Sequence, residues 1–173
     1  SLLGVGDDCS LTQVPSGQQL AISLDTQVAE VHFPARAPAE LIAQRALRAA
    51  ASDLAAMGAS PHAFHLSLTL PPTAATTNWL AAFSQGLKAA AADVNLQLLG
   101  GDTTQGQQLV VAIQVQGFVP IGKALTRSGA KAEEDIWLSG PVGAAGLGLQ
   151  EVLAKPLLAA NQLSPLTKSF YLP

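Results

Sequence analysis

"LLGGDTTQG" (98–106) is the stretch on which the reading of this chain turns. An apolar run ends in two glycines, an aspartate, two threonines, a glutamine and a third glycine. Such a segment reads as a buried strand running into a bare turn that carries a carboxylate. Taken alone, an ordinary tight turn has the same composition. The segment gains weight because charges are scarce elsewhere: 49% of the 173 residues are hydrophobic and only 12% are charged.

That composition suits one good core, or one domain and part of a second. No apolar run approaches the ~18 residues of a membrane-spanning helix. A net charge of −3 with nine Lys+Arg speaks against a nucleic-acid surface. The lone cysteine, Cys9, excludes an internal disulfide framework and suits a reducing cytosol, so the expected location is cytoplasmic. Cys9 is expected to be a small buried hydrophobe, since no base lies near it in sequence. No signal peptide is visible. The chain opens on "SLLGVGDD" and closes on "SFYLP", and both ends read as cut.

Outward from 98–106 the pattern alternates between periods of two and 3.6. "LAISLD" (20–25) reads as a strand with Leu20, Ile22 and Leu24 toward the core and Ala21, Ser23 and Asp25 opposite. "PAELIAQRALRAAASDLAAMG" (38–58) reads as a helix opened by a proline and stopped at Gly58. "FHLSLTLP" (64–71) is a second strand, and 76–94 an amphipathic helix with Trp79, Leu80, Phe83, Leu87 and Val94 as its stripe. Residues 95–101 and 109–120 give two more strands. A basic loop, 122–131, precedes a strand in "EEDIWLSG" and a glycine-rich lead into a helix, "GPVGAAGLGL" (140–149). The fold class is α+β (mixed α/β), with some strands antiparallel.

Four aspartates stand in unusual places. Asp53 falls in the direction of Ile42, Ala46, Ala49, Ala56 and Met57, whereas Glu40, Arg45 and Arg48 take the other side of the helix. A buried hydrogen bond would account for it. So would a site, since Asp25 and Asp102 leave strand ends and Asp8 follows "GVG" in a turn. If the four converge, they need cations: two carboxylates ~4 Å apart repel by ~4 kcal/mol at an effective dielectric of 20. Mg²⁺, bound by a few carboxylates and substrate phosphates, meets that need. Gly100 and Gly101 would let a phosphate approach the backbone. Lys123, Arg127 and Lys131 supply cations nearby in sequence; Arg127, between Thr126 and Ser128, is the expected partner of phosphate oxygens.

"GVGDDCS", "ISLDTQVAEVHF", "SDLAAMGASP", "LLGGDTTQG" and "GFVPIGKALTRSGAK", in this order, resemble the thiamine-monophosphate kinase family. That family belongs to the superfamily of aminoimidazole ribonucleotide synthetase, selenophosphate synthetase and the hydrogenase-maturation dehydratase. The resemblance runs from Gly4 to about Leu149. It implies ATP-dependent phosphorylation of thiamine monophosphate to thiamine diphosphate, with several Mg²⁺ ions and no covalent intermediate. It implies Asp8, Ser23, Leu24, Asp25, Asp53 and Asp102 as metal ligands, Leu24 through its carbonyl alone. Gly101, Asp102 and Arg127 would contact ATP, and His32 the thiamine substrate. Without the family, His32 reads as the cap of a strand end. His62 and His65 are given no role. No residue is expected to act as general base, because an ionised phosphate acceptor needs none.

The resemblance further implies an N-terminal ATP- and Mg-binding dimerisation domain over 1–134, a mixed sheet flanked by helices, and an incomplete second domain over 135–173. Homodimers would form through the sheet, with strands 64–70 and 109–117 as the interface. The sequence departs from the family pattern at Leu24, usually Ser or Thr, at Ala50, where an amide is usual, and at Gln105, in place of a common arginine. The acidic and glycine-rich motifs of the second domain are missing, so poor turnover is expected of the chain alone. Two other readings compete: another ATP-using enzyme of the superfamily, and a non-catalytic dimerisation module. A selenophosphate synthetase would carry a reactive Cys in a glycine-rich N-terminal segment, which is absent here. No EF-hand spacing of acids supports a calcium protein.

Overall fold

The computed structural model describes residues 3–138, 140–154 and 162–173. The elements run β1 (Gln18–Val28), α1 (Ala39–Ala56), β2 (Ser60–Leu70), α2 (Thr77–Asp93), β3 (Gln97–Gln105), β4 (Val110–Pro120), α3 (Ala144–Ala154) and α4 (Pro165–Tyr171). The four strands form one sheet in the order β1-β4-β2-β3. β4 is antiparallel to both neighbours, and β2 and β3 pair in parallel through the α2 crossover. The mixed α+β architecture is therefore the expected one.

α1 and α2 lie together on one face of the sheet. The core between them is built from Leu41, Ile42, Leu47 and Leu54 of α1, Phe83 and Leu87 of α2, and Phe64, Val111, Ile113 and Val115 of the strands. At the helix crossing, a Cβ on Gly86 would meet the Glu40 carbonyl oxygen at 2.1 Å. Only glycine allows that approach.

Among the described residues no helix covers the other face of the sheet, and this reverses one expectation. On β1 the side chains toward α1 are Ala21, Ser23, Asp25 and Gln27, whereas Ile22 and Leu24 point to the open face at 58% and 66% exposure. The alternation was legible, but its direction was inverted: the small and polar set faces the helix layer, and the leucines face outward. Strands 64–70 and 109–117, expected at an exposed interface, are the two central strands; their open face is largely half-buried.

Segment 3–12 crosses part of that open face. Leu3 bridges Leu11, and Leu99 of β3 is buried there against Gly4. "GGDTT" is not a turn: Gly100, Gly101 and Asp102 lie inside β3, opposite a register shift at Phe64/His65. A Cβ on Gly101 would sit 1.9 Å from the Leu66 carbonyl oxygen, so the glycine permits tight pairing with β2.

The expected strand at 133–140 does not form over 134–138, where Ile136 and Trp137 stand 93% and 87% exposed; Ser139 lies outside the described residues. The helix foreseen after "GPVGAAGLGL" is α3. α3 and α4 pack on each other, and α4 on α1, where Arg45 donates to the Phe170 carbonyl and lies 4.0 Å above the Phe170 ring. Arg36 donates to the carbonyls of Val152 and Leu153, at the end of α3. Thus Arg45 and Arg48 do not line a solvent side of α1. Arg45 is half-buried under α4, and Arg48 pairs with Asp93 of α2.

Candidate functional site

Two clefts gather the chemistry-bearing residues. The first, about 610 Å³, opens between β1 and the end of α1 and is lined by Ser23, Asp53, Met57, Leu125, Thr126 and Arg127 among others. β1 aims Ser23 at α1, and Asp53 lies on the last turns of that helix. The Ser23 hydroxyl donates to Asp53 Oδ2 at 2.5 Å. Asp53 is exposed, contrary to the burial expected from its helix direction. The reason is position along the helix: Ile42, in the same direction near the start of α1, is fully buried, whereas in the last turns, at 52–57, Leu54 alone stays buried and Asp53 stands in the cleft facing Ser23. The basic loop closes the cleft. Leu125 N–H donates to the Met57 carbonyl at 3.1 Å, which fixes the loop to the end of α1 and sets Arg127 across from Asp53.

The second cleft, about 400 Å³, lies on the open face near β3. Residues 5–10, His65, Leu99, Gly100 and Gly101 line it, so it holds Asp7, Asp8 and Cys9. Cys9 is exposed rather than buried. Asp8 N–H donates to Asp7 Oδ1, and within β3 Asp102 Oδ1 accepts from Thr103 N–H, so the Asp7 and Asp102 carboxylates each hold the N–H of the next residue.

The four aspartates therefore do not form one nest within the chain. Asp25 and Gly101 share a cross-strand row, through Ile113 and Leu66, but on opposite edges of the sheet. Three strand spacings of ~4.8 Å put ~14 Å between them. Among the described residues no three His, Cys, Asp or Glu side chains stand close enough to share a metal ion. Gly101 and Arg127, both expected at ATP, line different clefts. What the structure does bring together is Ser23, Asp53 and Arg127. Asp25 shares the inward face of β1 with Ser23. Burial pulls the Arg45 guanidinium below its ordinary pKa, against the opposing influence of Tyr171 and then Asp25, so the Asp25 carboxylate acts electrostatically on Arg45.

His32 behaves as a cap. Its Nδ1 accepts from the Val28 N–H at 3.1 Å, at the end of β1. Sequence reasoning missed the polar chain Ser10–His65–Gln114 in the second cleft, with links of 2.9 and 2.8 Å. No spacing announces it, because its members come from a turn and two strands far apart in the chain.

A family model for "AIR synthase related protein, N-terminal domain" matches residues 6–119. The chain belongs to the AIR synthase related family. Within it, the chain is 49% identical over 148 residues to the thiamine-monophosphate kinase of Escherichia coli strain K12, covering 85% of this chain and 44% of that protein. The Haemophilus influenzae thiamine-monophosphate kinase is 42% identical over 151 residues, covering 87% of this chain and 45% of its own. A crystal structure of the thiamine-monophosphate kinase of Stenotrophomonas maltophilia K279a superposes with a TM-score of 0.85 at 39% identity, over 99% of this chain and 55% of that one. The chain thus spans about half the length of the relatives it matches. The AIR synthase related match covers the sheet, α1 and α2, together with the Asp7–Asp8 turn. Among the described residues no helix is long and apolar enough to cross a membrane.

Proposed function

We propose that this chain supplies the nucleotide- and metal-binding part of a kinase that transfers the γ-phosphoryl group of ATP to thiamine monophosphate. The observation that carries the reading is the first cleft, where a carboxylate, a hydroxyl and a guanidinium line one opening beside an edge strand. The kinship with thiamine-monophosphate kinases supports the substrate, as does a solved complex of the fold neighbour AaThiL with AMPPCP and TMP.

The donors fit Mg²⁺. Ser23 and Asp53 offer hard oxygens and no sulfur or imidazole, and Mg²⁺ is commonly held by one or two carboxylates with the remainder supplied by water and phosphate. A three-acid cage is not required. When bound, Mg²⁺ would supply the positive charge that offsets the negative charge of the phosphates during transfer. Asp53 would hold the ion, and Ser23, hydrogen-bonded to it, orients the Asp53 carboxylate. Arg127 covers phosphate oxygens from the loop side with a planar fork of donors. Asp25 and the Leu24 carbonyl stand on the same strand as further ligands, and Asp8, Gly101 and Asp102 serve from the second cleft and β3. His32 meets the thiamine end, from its capping position at the close of β1. The residues bind and orient; none takes the proton from an acceptor that is already ionised.

The reading extends to a boundary near 134/135, a cytoplasmic location, and a homodimer formed through the sheet. The dimer is favoured by β1 itself: an eleven-residue edge strand without Lys or Pro, with Ile22 and Leu24 exposed on the open face. The chain alone turns over poorly. The test is thiamine diphosphate formation by a protein of the relatives' full length that carries this sequence. Product that requires ATP and Mg²⁺ supports the reading, and turnover of another superfamily substrate in its place overturns it.

A further inference from the structure

We propose that His65 is a positioning residue that ties the Asp7–Asp8 turn to the sheet beside Gly100 and Gly101. His65 stands on the open face of β2 and touches three elements at once. Its Nδ1 meets Gln114 Oε1 of β4 at 2.8 Å, and its Nε2 meets Ser10 Oγ at 2.9 Å. With Gln114 presenting its carbonyl oxygen, Nδ1 donates and Nε2 accepts from the Ser10 hydroxyl. The ring also lies against Gly100, where an added Cβ would come within 3.4 Å of Cδ2. Two residues on, Gln116 Nε2 donates to Thr12 Oγ1 at 3.0 Å. A polar ladder of His65, Gln114 and Gln116 thus holds alternate residues of the incoming segment, Ser10 and Thr12.

Backbone hydrogen bonds between Leu3 and Leu11 close the segment at its base. At its tip Asp7 and Asp8 are exposed, with the Asp8 N–H bonded to Asp7 Oδ1, and the Ser10–His65 contact is the side-chain link described from that tip to the sheet. A carboxylate on an untethered turn would lose conformational entropy each time it met a cation; one already fixed beside the glycines would not. The role in metal binding rests on the kinase reading; the tether itself does not.

Cys9, the single cysteine, lies between Asp8 and Ser10 and is exposed, so its thiol reports on the turn. The experiment measures labelling of Cys9 by a disulfide reagent in the wild-type chain and in Ser10→Ala, His65→Leu and His65→Gln, with thermal melts alongside. The expected result is labelling at least threefold faster in Ser10→Ala and His65→Leu, with recovery in His65→Gln. Equal rates in all four proteins overturn the tether. A second titration then reads the Mg²⁺ concentration that half-saturates AMPPCP binding. It should rise severalfold in Ser10→Ala, a substitution far from the folding core. Faster labelling with an unshifted Mg²⁺ midpoint reduces His65 to a structural anchor and overturns the positioning role. If the wild type binds no AMPPCP at any Mg²⁺ concentration, the kinase reading falls, and the labelling rates still decide the tether.

Discussion

At the scale of single residues, the inverted face of β1 carries the most information. Ser23 and Asp25 were placed on one side of their strand by the two-residue period, and they are. What the period could not say is which side meets the helices, because direction depends on which face of the sheet is covered. Hydrophobicity suggested Leu20, Ile22 and Leu24 for the core; instead all three are exposed, and Ser23, on the helix side, meets Asp53 in the open cleft at the end of α1. Asp53→Asn removes the charge while keeping the shape, so it is expected to weaken Mg²⁺-dependent nucleotide binding at least tenfold and leave the melting temperature within a few degrees; calorimetry and a thermal melt check both. Gly101→Ala acts differently. Its methyl would collide with the Leu66 carbonyl at 1.9 Å, which forces β3 off β2. A loss of about 1–3 kcal/mol in urea unfolding is expected, in the range of overpacked cores.

At the scale of elements, helix and strand periods located α1, α2 and the four strands, and mistook two features. "GGDTT" reads locally as a turn, yet it continues as strand because parallel pairing with β2 accepts a glycine where no side chain fits. "EEDIWLSG" reads as a strand, yet residues 134–138 find no partner to pair with among the described residues. Propensity alone does not make a strand; hydrogen-bonding neighbours do. The docking of α4 on α1 was not legible at all, because it depends on Arg45 reaching across from the helix side opposite the expected apolar stripe. It has a measurable consequence. Burial pushes the Tyr171 phenol above its ordinary pKa, opposed by Arg45 and Arg36. A raised value means the folded chain resists ionisation, so stability is whole below about pH 10 and falls as pH climbs through the folded pKa. Tyr171 is the sole tyrosine, so its ultraviolet titration reads that midpoint directly. Tyr171→Phe should flatten the alkaline decline in stability, and an unchanged decline would remove Tyr171 as its cause.

At the scale of the molecule, the acids that were expected in one nest stand apart within the chain: Asp53 lines the first cleft, Asp8 the second, and Asp25 and Asp102 lie on the two edge strands, β1 and β3. The sequence order of the motifs was informative about family, and family about chemistry, but three-dimensional convergence was not contained in the spacing. The first cleft retains the combination that matters most for a phosphate ligand: Ser23, Asp53 and Arg127. The open face of β1 belongs to this scale too. Ile22→Glu with Leu24→Glu places like charges on the exposed strand, and sedimentation should show a dimer at micromolar concentration for the wild type and a monomer for the variant. A wild-type monomer would exclude pairing through that face.

The measurement that bears most directly on the first cleft is a calorimetric titration of the wild-type chain and Asp53→Asn with AMPPCP, with and without Mg²⁺. Tight binding by the wild type only when Mg²⁺ is present, lost in Asp53→Asn, is the result expected of a cleft that holds a magnesium-bound triphosphate. Affinity that is the same with and without Mg²⁺, or unchanged by the substitution, would contradict it.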